Sequence, residues 1–216
     1  MHPDWPELPL QEWQDTYHNL HMWTQVVGKI RLGLAPLQNH WWNAALYVNA
    51  RGLTTSAIPY NDRTFELQFN FVNHRLELRT SDGSDRAFAL EPKSVAAFYH
   101  ELFAMLHAAS IDAQINPKPQ EVPNPIALDK DETHASYDPE YANRFCRILH
   151  STEKVFQEFR ARFIGKASPV HFFWAASTWH ALASTDAALP LEKGSSPARH
   201  IRTSAAASAG GPAAVT

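Results

Sequence analysis

Residues 65–79 read Phe65-Glu66-Leu67-Gln68-Phe69-Asn70-Phe71-Val72-Asn73-His74-Arg75-Leu76-Glu77-Leu78-Arg79. An apolar/polar alternation of this kind is the period of a β-strand. Phe65, Leu67, Phe69 and Phe71 fall on one face, with Glu66, Gln68 and Asn70 on the other. A slip of one residue would turn all four apolar side chains to the wrong face, so the register is strongly specified. Leu76 and Leu78 resume the alternation after a break far shorter than a parallel crossover needs. The two strands are therefore expected as antiparallel neighbours, and the fold grows outward from them as a meander.

Toward the C-terminus, the turn Ser81-Asp82-Gly83-Ser84 leads into a further strand through Leu90. Ser94 is placed to cap a helix whose stripe is Val95, Phe98, Leu102, Met105, Leu106 and Ala109. A short strand is expected at residues 111–115, then a long loop stiffened by Pro117, Pro119, Pro123 and Pro125. Asp138 as N-cap and Pro139 at the first helical position open the strongest helical pattern. Its stripe reads Tyr141, Phe145, Ile148, Thr152, Val155, Phe159 and Phe163. Val170, Phe172 and Trp174 form one face of a last strand.

Toward the N-terminus, Ala44, Leu46, Val48 and Ala50 alternate and stop at Gly52. Before them, Trp13, Tyr17, Leu20, Trp23 and Val27 stand at helical spacing, and Ile30, Leu32 and Leu34 then alternate with Lys29, Arg31 and Gly33 as a strand would. The expected class is α+β: one domain, an antiparallel sheet of about five to seven strands, and three main helices near 11–27, 94–110 and 139–164 packed mainly on one face.

The chain has 216 residues, 44% of them hydrophobic and 19% charged, which suits a single globular domain that needs no disulfide. A net charge of -3 sets up no field toward nucleic acid or an anionic membrane, and neither is expected as a partner. No apolar run approaches the ~20 residues of a membrane span. The first ten residues lack a basic and an apolar signal region, and Cys146 has no second cysteine to pair with, so a cytoplasmic location is expected. All aromatic residues except Trp179 lie at or before Trp174. The expected domain is therefore 1–174, with 175–216 an Ala/Ser-rich disordered tail.

Walker, dinucleotide-binding, zinc-finger, HExxH and nucleophile-elbow signatures are missing, so no reaction type and no cofactor is assigned. Residues 51–60, Arg-Gly-Leu-Thr-Thr-Ser-Ala-Ile-Pro-Tyr, gather a guanidinium, hydroxyls and a phenol after a strand. Arg51, with Thr54, Thr55 and Tyr60 nearby, is a candidate for holding a carboxylate or phosphate; the competing reading is a polar loop that satisfies its own backbone. His40 and Trp41 suit the wall of a ligand cleft, with Trp42 in phase with the core. His21, His134 and His171 complete the candidate set, none with metal-ligand spacing. His134 stands four residues before Asp138, an alternative imidazole–carboxylate pair to the capping role. Two functions follow: a small-molecule pocket protein, enzyme or binder of an anionic ligand, or a non-catalytic interaction module using the long helix that opens at Pro139 as partner surface.

The stretches Leu20–Leu32, Asn39–Trp42, Ala50–Tyr60, His134–Glu140 and Glu158–Trp174 resemble a bacterial family known only as a domain of unknown function. The resemblance covers residues 4–174 and implies a single-domain cytoplasmic protein without an assigned activity. It breaks off after Trp174. Ala175-Ala176-Ser177-Thr178-Trp179-His180 can be coded by bases that, read one position earlier, give the Gly-Ser-Phe-Asp-Leu-Ala run of the family. The resemblance thus implies a one-base frameshift after Trp174.

Overall fold

The computed structural model describes residues 5–163 and 165–175, and the backbone of strand residues 178–184 and 205–209. The expected tail, 175–216, falls largely outside the described residues.

The first helix, α1, spans Leu10–Leu34, so the strand expected from Ile30 to Leu34 is instead its last turns. Ile30 also lies four residues after Val26 and seven after Trp23, and all three are fully buried. Five alternating residues do not distinguish a strand from such a helical row. The helix stops at Ala35, whose ψ of 141° is the extended geometry forced on the residue before Pro36.

Six strands form the main antiparallel sheet: β1 Tyr47–Asn49, β2 Gly52–Thr54, β3 Ile58–Tyr60, β4 Arg63–Asn70, β5 Arg75–Thr80 and β6 Asp85–Ala89. The order is β1-β2-β4-β5-β6, with β3 also paired to β4. Leu67 faces Leu78 and Phe69 faces Leu76, as the alternation requires. Phe65, Leu67, Phe69 and Phe71 are all buried.

All three long helices meet that face. Phe69 stacks on Phe98 of α2 (Val95–Ala108) at 6.1 Å, Trp23 of α1 stacks on the same ring at 4.7 Å, and Phe71 meets Phe145 of α3 (Pro139–Ala161) at 6.4 Å. The opposite face carries polar pairs: Asn70 donates to Glu77 (2.7 Å) and Arg79 to Gln68 (3.3 Å), which buries Gln68 too.

Both expected caps form. Ser94 accepts from Ala97 N, and Asp138 accepts from Glu140 N and Tyr141 N. Two other expectations fail. Residues 111–115 are no strand: Ile111 and Ala113 are buried, but the segment runs beside α1, with Gln114 O next to Gly33, and joins no ladder. The stripe of α3 is rotated, since the core takes Ala142, Cys146, Leu149 and Phe156 while Val155 is 55% exposed. Small residues at 142 and 146 let the helix approach the β1–β2 turn, where Cys146 Sγ lies 3.8 Å from Arg51 O.

After α3, β7 (Lys166–Ala167), β8 (His171–Phe173) and β10 (Ala205–Ala209) all pair with β9 (Thr178–Ser184) in a second sheet. Leu46 and Phe172 exchange backbone hydrogen bonds of 2.8 and 3.0 Å that join it to β1. Among the described residues, no helix is long and apolar enough to cross a membrane.

Candidate functional site

Thr54 and Thr55 sit where the chain leaves β2 for β3, both running along β4. Thr54 Oγ1 donates to Glu66 and accepts from Ser56 N; Thr55 Oγ1 donates to Ser56 O and accepts from Leu67 N. Ser56 takes a left-handed φ of 54° in this kink. The two hydroxyls therefore stitch the kinked strand to β4 and have no bonding capacity aimed at an anion. Arg51 occupies the two-residue β1–β2 turn, its side chain exposed and its carbonyl accepting from Phe71 N. Tyr60 Oη accepts from Asp112 N.

The histidines are distributed. His21 bonds Ala175 O at 2.9 Å, and burial holds its pKa below the ordinary value. His134 pairs with Asp131 at 2.7 Å, not with Asp138, which is spent on capping α3. His40 and His171 do come together through Trp42, at ring distances of 6.1 and 5.1 Å. His40 and Trp41 take successive left-handed φ values of 56° and 59°, a conformation costing roughly 1–2 kcal/mol per residue, and Trp41 is 64% exposed. Cys146 is buried and its thiol is pushed up to about 11, which removes the thiolate a nucleophile requires.

From His171 the cluster continues to the Tyr47 ring (5.6 Å) and on to the guanidinium of Arg31 (5.3 Å). Arg31 is 5% exposed and its Nη1 donates to Thr55 O, while Nε is buried without a partner. No carboxylate pairs with it among the described residues. Burial lowers its pKa and the Tyr47 phenol opposes that shift; an arginine nevertheless remains a cation. Lys29, two residues earlier, is 7% exposed, with its ammonium 5.9 Å from the Trp174 ring centre and, among the described residues, no acidic partner. A buried guanidinium without a counter-charge is costly, since burying an unpaired ion costs several kcal/mol.

Sequence reading missed Arg31 because the strand reading put it on the face opposite Ile30 and Leu32. Helical phase carries the missing signal: Arg31 is four residues after Val27, on a buried helix.

Cavities among the described residues lie elsewhere. One of about 10 Å³ is lined by Trp13, His21, Phe145 and Phe172 among others, smaller than any organic ligand. Another is an open groove of about 470 Å³ between the β1–β2 turn and α3. His150 there bonds Asn49 O, and Glu153 accepts from Gln157, with burial raising the Glu153 carboxyl.

An α+β domain, with helices on the apolar face of an antiparallel meander and a buried arginine on its first helix, is the class this architecture defines. The chain belongs to the family of unknown function DUF5996, whose family model matches residues 5–201 and so extends past Trp174. No curated protein and no solved structure matches it.

Proposed function

We propose that the protein binds a small anionic molecule at Arg31. The observation that supports this reading is the buried guanidinium with a bare Nε and, among the described residues, no carboxylate partner. A carboxylate or phosphate oxygen there would supply the missing charge and the missing acceptor together. Tyr47 walls one side, and the cluster leads through His171 and Trp42 to the turn at His40 and Trp41. The strained turn at His40 and Trp41 forms its solvent-exposed border. Arg51, Thr54 and Tyr60 have no part in this reading.

Thermal melts in phosphate, sulfate and citrate, against chloride at matched ionic strength, test it. An anion at ~100 times its Kd stabilises by about 2.7 kcal/mol, or roughly 5–10 °C for a domain of this size. Arg31→Lys retains the charge but not the fork and should lose most of that shift. Equal melting temperatures in all four salts would remove the reading.

A second reading, the interaction module, is favoured by α3, whose Val155 is exposed in line with half-buried Ile148, Thr152 and Phe159.

A further inference from the structure

His18 on α1 and His134 in the loop before α3 lie far apart in sequence, yet their rings stand 6.3 Å apart at 89°. The fold holds them there. Thr16 Oγ1 accepts from Asp138 N at 3.0 Å and Asn19 Nδ2 donates to Ser136 O at 2.8 Å, clamping the loop to α1 on either side of His18. Asp131, 1% exposed, fixes His134: Oδ1 accepts from the backbone N–H groups of Thr133 and His134, and Oδ2 lies 2.7 Å from His134 Nδ1. A carboxylate only accepts, so Nδ1 carries a proton, and in the neutral ring the Nε2 lone pair is left free. No described group bonds that Nε2, and His18 makes ring contacts only. Both imidazoles are partly open to solvent.

A histidine whose second nitrogen donates to a buried carboxylate is the arrangement that metal-ligating imidazoles adopt. With metal–nitrogen bonds of ~2.0–2.1 Å, two imidazole ring centres lie about 5 Å apart at the tetrahedral angle, and farther apart as the angle opens. The observed 6.3 Å needs a side-chain shift of about 1 Å. We propose that His18 and His134 form a two-imidazole site for a borderline divalent transition metal, Zn²⁺ or more tightly Cu²⁺, with water completing the coordination. Asp131 is its positioning residue. The site is independent of Arg31 and survives or falls without it.

Calorimetric titration of the chelator-treated full chain with ZnCl₂ and with CuCl₂ tests the assignment. One saturable equivalent of micromolar affinity is expected, weakened at least tenfold by His18→Ala and by His134→Ala and unchanged by His107→Ala on α2. Asp131→Asn should weaken it ~10–100-fold, because its amide would present N–H to Nδ1 and force the other tautomer. If that variant unfolds, nitrogen hyperfine structure in the Cu²⁺ spectrum of His18→Ala decides: two coupled imidazoles should fall to one. Absence of a saturable equivalent, or binding insensitive to His18→Ala, would overturn the proposal.

Discussion

Gly28 lies under the Trp174 indole, where a Cβ would fall 2.2 Å from the ring, and Trp174 Nε1 is anchored on Ala44 O at 2.5 Å. Alanine in its place gains about 1 kcal/mol of helix propensity but overpacks the crossing, which costs about 1–3 kcal/mol and more when the ring is anchored. Gly28→Ala should therefore destabilise by about 1 kcal/mol in urea melts and alter tryptophan emission. A gain in stability would mean that the indole moves aside freely. At this scale the sequence was partly legible. The bland alternative for the Thr54 and Thr55 hydroxyls was readable, because threonines in a turn satisfy nearby backbone. The contact at Gly28 was not, since nothing local reports that residue 174 crosses residue 28.

Helix α3 was legible at its start. Asp138 and Pro139 fix its first turn through local bonds alone, and Asp138→Ala should cost about 1 kcal/mol, within 0.5–2, in thermal or urea unfolding. A change below a few tenths would mean that the helix begins elsewhere. Its rotation was not legible, because two parallel rows compete on its surface: the larger side chains Phe145, Ile148 and Phe159, and the smaller Ala142, Cys146 and Leu149 beside Phe156. Hydrophobicity favours the first row. Close approach to the β1–β2 turn favours the second. The end of α1 is the same lesson, since a five-residue alternation was outweighed by a helical row already running from Trp23.

For the whole molecule, the half-buried imidazoles of His21 and His74 contribute to the response to acid. Burial lowers the pKa of His21 and of His74 below 6.5, so the folded chain binds these protons less tightly than the unfolded chain. Stability then rises with pH across the interval below 6.5, and falls as acid carries the solution down through it. The melting temperature should drop between pH 7.5 and 5.5, and the double variant His21→Gln, His74→Gln should flatten that slope. A slope unchanged by both substitutions would assign it to other groups. Asp82 acts in a separate interval. Bonds from Thr80 and Arg63 hold its carboxyl at about 2, so its contribution is full above 3.8, declines as the pH falls below that value and is gone once the pH has fallen through about 2.

By itself the sequence determined the α+β class, the register of β4 on β5 and the caps of α2 and α3, because strand period and capping bonds are local and repeat along the chain. Tertiary structure alone decided which polar groups meet. Thr55 takes Arg31, Asn19 takes Ser136, and His18 faces His134 across more than half the chain. Such partnerships depend on where separate elements cross, and on which groups burial leaves without a partner, and no pattern along the chain encodes either.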